Sequence, residues 1–332
     1  MTQIQVRQVK IRAIEKYLPG AAVHSGTLER QLQLPQGWIG KNSGVDTRHW
    51  AGPQESVASM GAEALRRALA RAGLDLTDLD LLIAAGASYD HPIPFNAALI
   101  KKQLDTRAAE TPCFDVDSTC LSFLHALDIA HLYLTHRGLE RVAIVSAELA
   151  SRSLDPHDPK TYSLFGDSAV AVILEASANE GYTPGLSQFR NYTQGAEMAM
   201  IPAGGVVEPG LNADAPSFYF RMQGKQMIKL TLEKLDGFMD DFAHQTNTAL
   251  HEYDFIVPHQ TSLIGNELFV RKYSLKPEQM VLTLAKYGNC ISASIPLGLE
   301  QLHNGNRLQK GAKVLLAGSA AGLSLGAVSL EF

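Results

Sequence analysis

The sequence predicts an α/β fold in which buried strands alternate with helices. A helical pattern spans residues 56–72 and ends at Gly73, which suits a left-handed C-terminal cap. The alternation of such helices with apolar runs predicts sheets covered by helices. The predicted buried strands are 79–85, 142–147, 169–174, 255–257 and 314–317.

A repeated order of elements predicts two similar halves. The helix at 56–72 leads into the strand at 79–85, and a second helical pattern near 224–248 leads into the strand at 255–257. Each half then offers a strand rich in small residues. We therefore expect a boundary near residue 180, with an N-terminal half 1–180 and a C-terminal half 181–332. The stretch 196–217 lacks periodicity and predicts a long loop, either functional or a plain surface excursion.

Composition and charge argue against several classes of function. The chain has 332 residues, 45% of them apolar, and a net charge of -5, so no global basic field is available to hold nucleic acid. No apolar run reaches the roughly 18 residues of a membrane span, and residues 1–7 lack the apolar core of a signal peptide. Three cysteines without CxxC spacing predict neither a disulfide framework nor a metal site, and they favour the reducing cytoplasm.

Cys120 is the candidate nucleophile. It lies where a short apolar strand runs into an amphipathic helix, and the positive end of a helix dipole favours a thiolate. The alternative is a buried small hydrophobic residue, which is the more common place for a lone cysteine. Cys113 precedes a strand, has no obvious partner and is interpreted as structural, whereas Cys290 adjoins Asn289 but does not stand at a recognisable helix start.

His259 and Asn289 supply what a thioester carbonyl would need. His259 follows a strand and a proline, and sites in open α/β sheets form at strand ends. Gly288 lets the chain turn sharply before Asn289, which then stands at the entry to a helix of small residues. Locally, His259 could equally be a solvated loop histidine, and Asn289 could be only a helix cap.

Together these residues resemble the Cys-His-Asn triad of the thiolase superfamily, in particular the β-ketoacyl-ACP synthase III branch. The order Cys120, His259, Asn289 and the 30-residue separation of the last two are similar to that branch. The resemblance extends over nearly the whole chain in the correct order. The other motifs that carry it are WIGKNSGVDTRH at 38–49, GDSAVAVIL at 166–174, VPHQ at 257–260, GNCISASIP at 288–296 and GLSLG at 322–326.

The resemblance implies a thiolase fold with five αβαβα layers made from two duplicated halves, and a homodimer. It implies that Cys120 is acylated by a thioester, with its own backbone N–H and an amide near Gly322 as an oxyanion hole. His259 and Asn289 would hold the carbonyl oxygen of a malonyl or β-ketoacyl thioester during a Claisen-type condensation. No tightly bound cofactor is implied, because the substrates are thioesters of coenzyme A or phosphopantetheine.

The resemblance also implies substrate contacts. Trp38 and Arg48 match positions that meet the nucleotide end of coenzyme A, and Ser262 stands where an asparagine commonly meets the pantetheine arm. Ile93 matches a position that reaches into the partner's acyl pocket, and Leu121 replaces a small residue beside the nucleophile. A basic patch suited to an acidic carrier protein is a further hypothesis, against the alternative of solvated helix faces. Its members are Arg221, Lys225, Lys229, Arg271 and Lys272.

Other functions remain open from the sequence. An acyltransferase of the same superfamily would pass the acyl group to oxygen, nitrogen or a ring carbon. A catalytically silent partner subunit and an acyl-CoA binding module belong to a different class, and the complete triad argues against both. No carboxylate of the sequence matches the glutamate base of some long-chain relatives, which favours decarboxylation as the source of the carbanion. A specialised fatty-acid or secondary-metabolite pathway is expected.

Overall fold

The computed structural model describes residues 8–104, 110–207 and 216–332, so residues 208–215 of the predicted loop lie outside the described part. The strands are β1 (Gln8–Tyr17), β2 (Ala22–His24), β3 (Thr47–His49), β4 (Leu81–Ala85), β5 (Cys113–Val116), β6 (Arg141–Glu148), β7 (Ser168–Ser177), β8 (Thr183–Asn191), β9 (Ala199–Met200), β10 (Arg221–Met222), β11 (Phe255–Pro258), β12 (Lys313–Ala320) and β13 (Ser324–Glu331).

The helices account for the predicted periodic segments. Their bounds are α1 (Ser25–Gln31), α2 (Trp38–Ser43), α3 (Val57–Ala72), α4 (Asn96–Gln103), α5 (Ser122–His136), α6 (Pro159–Tyr162), α7 (Gly224–Thr246), α8 (Leu263–Lys272), α9 (Leu284–Tyr287) and α10 (Ser294–Asn304). For α3, the Ser56 side chain caps the first turn and Gly73 closes the last turn in the left-handed region, at φ 68°. Among the described residues, no helix is both long and apolar enough to cross a membrane.

The two main sheets repeat one topology. The first has the order β1-β7-β6-β4-β5 and the second has the order β8-β13-β12-β11. In both sheets a parallel pair (β4 with β6, β11 with β12) is followed by two antiparallel pairs. An isolated parallel bridge between Ile256 and Met280 stands in the second sheet where β5 stands in the first. The repeat confirms the predicted duplicated fold.

Five layers follow from how the helices cover these sheets. Helices α3 and α4 pack on the outer face of the first sheet, and α7 and α8 pack on the outer face of the second. Helices α5 and α10 lie between the sheets in the main apolar core, where most of their leucine, isoleucine and alanine side chains are buried. Helix α5 begins shortly after β5, and the 3₁₀ turns that precede α5 and α10 (Thr119–Leu121 and Ile291–Ala293) contact each other, so the N-termini of the two central helices come together.

Candidate active site

Cys120 lies on a single 3₁₀ turn, Thr119–Leu121, between β5 and α5. The Asp117 carboxylate accepts a hydrogen bond from the Thr119 N–H at 2.9 Å, and the Ser118 N–H donates to the Ser122 hydroxyl at 2.8 Å. Thr119 has a φ of 50°, a left-handed conformation that a β-branched residue rarely adopts. The side-chain bonds to this turn therefore hold the cysteine in a backbone geometry that is unfavourable by itself.

The surroundings of the Cys120 sulfur favour the thiol over the thiolate. Burial raises the pKa of Cys120 to about 12, and hydrogen bonds from the Ala321 and Cys120 backbone N–H groups only partly oppose that effect. The expectation that the helix N-terminus keeps a standing thiolate is therefore wrong, because desolvation outweighs the dipole.

The amide that faces this sulfur belongs to Ala321. Ala321 lines the cavity in front of Cys120, whereas Gly322 does not line it. The amide that contacts the sulfur thus belongs to the residue before Gly322, in the connection between β12 and β13. Gly322 serves the turn itself, since its φ is 81° and the space around it is open.

His259 follows β11, and its backbone N–H donates to the Ala317 carbonyl of β12 at 2.8 Å. The ring is 3% exposed, and burial lowers the pKa of His259 to about 4. The imidazole is therefore neutral at working pH. Its Nδ1 has no hydrogen-bond partner among the described residues, so the surrounding protein does not fix the tautomer.

Asn289 follows Gly288, whose φ of 70° turns the chain out of α9. Its backbone is held by the Leu164 carbonyl at 2.9 Å and by the Gly166 N–H at 3.1 Å. The side-chain Oδ1 accepts the Ile291 N–H at 2.9 Å. Oδ1 therefore caps a turn, and Nδ2 is the side-chain atom that remains able to donate to a substrate.

One cavity joins the three residues. Cys120, His259 and Asn289 all line a space of about 1530 Å³. Ordinary ligand pockets measure roughly 300–1,000 Å³, so this one is large enough for a pantetheine arm and an acyl chain. Trp38 and Ser262 also line it, and their contacts with a substrate stay a prediction. Ser262 caps α8 as well, because its hydroxyl accepts the Gly265 N–H at 3.1 Å.

Arg48 does not contact the cavity, and the prediction that it binds coenzyme A is wrong for this structure. Its side chain is fully buried, and its guanidinium donates to the Ser25 hydroxyl at 2.9 Å and to the Ser163 carbonyl at 2.8 Å. Burial lowers the pKa of Arg48 to about 10. The cations that do line the cavity are Arg152, Lys160 and Lys225, and no motif in the sequence marked the first two.

Leu121 is also placed differently from the prediction. It is fully buried in the central core, does not line the cavity, and packs against Gly318 and Gly326, which pair across β12 and β13. Ile93 is 87% exposed and does not line the cavity of its own chain. Its place in the acyl pocket of a partner subunit stays a prediction.

The remaining predicted cations and cysteines have ordinary surroundings. Arg271 pairs with Glu267 at 3.0 Å and Lys272 pairs with Asp236 at 2.8 Å. These acidic partners lower the net positive charge of the predicted basic patch. Cys290 is buried, and its thiol donates to the Tyr287 carbonyl at 3.3 Å. All three cysteines are free.

Comparison with known proteins gives one family. The model of the 3-oxoacyl-[acyl-carrier-protein] synthase III family matches residues 114–195, and the model of its C-terminal part matches residues 243–332. The β-ketoacyl-[acyl-carrier-protein] synthase III of Methylococcus capsulatus is 32% identical over 326 residues, which cover 98% of this chain and 99% of that protein. The one of Neisseria gonorrhoeae is 31% identical over 327 residues, 98% of this chain and 100% of that protein.

Solved structures agree with this assignment. The crystal structure of 3-oxoacyl-[acyl-carrier-protein] synthase III from Aquifex aeolicus has a TM-score of 0.87 and 26% identity, and the match covers 98% of this chain and all of that one. The fold, the order of the site residues and the full-length similarity lead to one conclusion. The chain belongs to the 3-oxoacyl-[acyl-carrier-protein] synthase III family of condensing, acyl-transferring enzymes.

Proposed function

We propose that this enzyme loads an acyl group onto Cys120 and condenses it with a malonyl or β-ketoacyl thioester. The observation that carries the proposal is the convergence of Cys120, His259 and Asn289 on one large cavity. In this scheme the N-terminal half, 1–180, supplies the nucleophile, and the C-terminal half, 181–332, supplies the two neutral donors.

In the first step the sulfur of Cys120 attacks the thioester carbonyl as the thiol proton leaves. The backbone N–H groups of Cys120 and Ala321 stabilise the oxyanion of the tetrahedral intermediate. Collapse of the intermediate breaks the bond to the departing thiol, which takes a proton. The product is an acyl-cysteine, a neutral species that suits the desolvated position of this sulfur.

In the second step a malonyl thioester places its carbonyl oxygen between His259 and Asn289. The bond to the carboxylate breaks, CO₂ leaves, and its electron pair forms an enolate. The neutral imidazole and the Asn289 Nδ2 donate to the enolate oxygen, each worth about 3 kcal/mol in comparable sites. The enolate carbon then attacks the acyl carbonyl, a carbon–carbon bond forms, and the released Cys120 sulfur regains a proton.

The carboxylates in the cavity favour decarboxylation over proton abstraction. Three carboxylates line the described cavity, and each already accepts hydrogen bonds from the start of a helix or turn. Asp90 accepts from the Val57 N–H at 2.8 Å, Asp117 accepts from the Thr119 N–H, and Asp158 accepts from the Lys160 N–H at 3.1 Å. Each carboxylate is therefore already engaged by the backbone and is held away from the role of a free general base.

The dimer belongs to the proposal as well. Strand β5 is an edge strand that pairs only with β4 in the described chain. Nearby, Ile93 and Phe95 expose apolar side chains, Ile93 almost completely. An unpaired edge beside exposed apolar residues suits a second copy of the chain. We further propose coenzyme A or carrier-protein thioesters as substrates, and a cytoplasmic location, which the three free thiols support.

The test is a product assay. Purified protein is supplied with a panel of acyl-CoA donors and with malonyl thioester, and both CO₂ and the β-ketoacyl product are measured, with Cys120→Ala as the control. We expect equal amounts of CO₂ and product from the wild type and neither from the variant. Condensation of two acyl-CoA molecules without a malonyl or β-ketoacyl partner would show that the carbanion does not come from decarboxylation. Transfer to an oxygen, nitrogen or ring-carbon acceptor would favour the acyltransferase alternative.

A further inference from the structure

Glu148 is a buried carboxyl group that the mechanism above does not use. It ends β6, has no exposed surface and does not line the cavity. On the side of the N-terminal half it accepts the N–H groups of Ala87 and Ser88, both at 3.0 Å, and the Ser88 hydroxyl at 2.6 Å. On the other side it contacts Ser292, with the hydroxyl at 2.5 Å and the N–H at 3.4 Å. It therefore connects the two halves.

Ser292 belongs to the turn that positions the catalytic amide. This 3₁₀ turn, Ile291–Ala293, donates its first N–H to the Asn289 side chain. Ile291 has a φ of 49°, which a β-branched side chain disfavours, so neighbouring contacts must hold the turn in place. Beyond Glu148, the Ser292 hydroxyl also reaches the Ala85 carbonyl at 2.9 Å, at the end of β4.

The turn is a second copy of the one that carries the nucleophile. In the first copy, Asp117 accepts the Thr119 N–H at 2.9 Å, and the Ser118 N–H donates to Ser122 at 2.8 Å. In the second, Asn289 accepts the Ile291 N–H at 2.9 Å, and the Cys290 N–H donates to Ser294 at 3.0 Å. The matched residues are Asp117 with Asn289, Ser118 with Cys290, Thr119 with Ile291, Cys120 with Ser292 and Ser122 with Ser294.

In this correspondence Ser292 takes the place of the nucleophile, but its surroundings are different. Cys120 faces the cavity and the Ala321 amide, whereas Ser292 is fully buried against Glu148. Burial raises the pKa of Glu148, while its hydrogen bonds with Ser292 and Ser88 oppose that rise. In the second turn, Glu148 from the N-terminal half thus covers Ser292. The matching residue of the first turn, Cys120, instead faces the cavity.

We propose that Glu148 is a positioning residue that fixes the Asn289 turn against the N-terminal half. Through Ser292 and Ile291 it holds the Asn289 Nδ2 at the distance from Cys120 that the second thioester requires. The inference rests on the proposed function, in which Asn289 acts in condensation and takes no part in loading Cys120. A purely structural Glu148 would affect both half-reactions alike.

The test compares the two half-reactions in Glu148→Ala and Ser292→Ala. Loading of Cys120 is followed by intact-protein mass, and condensation is followed from the pre-acylated enzyme. We expect the rate of loading to stay within about threefold of wild type and the rate of condensation to fall about 10²-fold. A displacement of the Asn289 side chain by about 1 Å is enough for a loss of that size. Asp80→Asn is the matched control, because Asp80 bonds the N–H groups of Glu140 and Arg141 at the opposite ends of β4 and β6. It should leave the ratio of the two rates unchanged.

A double-mutant cycle with Asn289→Ala separates positioning from stability. If Glu148 acts through Asn289, Glu148→Ala lowers condensation no further in the Asn289→Ala background. An equal additional loss in that background would overturn the proposal, as would wild-type condensation in both single variants. Should Glu148→Ala fail to fold, Ser292→Ala carries the same test, because it removes one hydroxyl and keeps the carboxyl. A wild-type enzyme without any condensation product would instead contradict the proposed function.

Discussion

Gly318 packs directly against His259, and the contact leaves no room for a side chain. A Cβ built on Gly318 would lie 2.7 Å from the His259 Cβ and 3.2 Å from a Leu121 methyl group. Both neighbours are fixed, because the His259 N–H bonds the Ala317 carbonyl and Leu121 is buried in the core. This glycine therefore sets how closely the histidine approaches the turn that carries Cys120.

Replacing Gly318 with alanine should impair condensation more than loading. The added methyl displaces His259, which binds the second thioester in the proposed mechanism, and we expect condensation to fall about 10²-fold. Loading of Cys120, followed by intact-protein mass, should fall much less. Gly237→Ala is the control, because it lies within α7 with open space around it and should not slow either step. Equal losses in both steps for Gly318→Ala would show that the contact serves the fold alone.

Asn289→Asp should abolish one hydrogen bond while keeping the shape of the side chain. The remaining oxygen still accepts the Ile291 N–H, but the donor Nδ2 becomes an acceptor beside a developing enolate. We expect condensation to decrease at least 10²–10³-fold, the usual cost of losing one such donor. Cys120 loading should continue. An aspartate variant that condenses at the wild-type rate would exclude Asn289 from the reaction. The control is Asn304→Ala at the end of α10, which removes an amide that bonds only to the protein.

Leu121→Ala should weaken the fold and leave the choice of acyl chain unchanged. The side chain is fully buried against Gly318 and Gly326, so its removal leaves a cavity in the core. Such truncations usually lower the free energy of unfolding by about 2–5 kcal/mol. Chemical denaturation measures the loss, and loading with acetyl, octanoyl and lauroyl donors measures specificity. A changed preference among these donors would place Leu121 in the acyl pocket after all.

The buried imidazole of His259 should make stability depend on pH. Its pKa is about 4 in the folded chain and 6.5 in the reference state, so the unfolded chain takes up the proton first as pH falls. This residue's contribution is complete above pH 6.5 and is lost toward pH 4, a change of about 3 kcal/mol. Urea denaturation at several pH values should give a shallower dependence for His259→Ala than for wild type. Parallel curves would mean that the histidine is hydrated in the folded state.

The three proposed catalytic residues were selected from the sequence by their combined order and spacing, because the local setting of His259 and of Asn289 also allowed a purely structural interpretation. A cysteine at a strand–helix junction, a histidine after a strand and an asparagine after a turn-forming glycine are all visible in short motifs. The structure places these three on one cavity. The duplicated fold was also predictable, because each half repeats the same order of helix and strand.

The predictions for Arg48 and Leu121 failed because they required the direction of a side chain, which a short motif does not determine. Arg48 lies in a motif that suggests a ligand contact, yet β3 turns its guanidinium inward toward Ser25 and Ser163. Leu121 is adjacent to the nucleophile, yet it points away from the cavity into a space left by two paired glycines. The helix start near Cys120 was evident from sequence, but the desolvation that outweighs its dipole depends on the packing of both halves.

The most direct test of the account is the site of the acyl group. Wild type, Cys120→Ala, Cys113→Ala and Cys290→Ala are exposed to an acyl-CoA, and peptide mass spectrometry locates any added acyl mass. The account predicts one acyl group on the peptide that contains Cys120 in wild type and in the Cys113 and Cys290 variants, and none in Cys120→Ala. Acylation that persists without Cys120, or that occurs at Cys113 or Cys290, would contradict it.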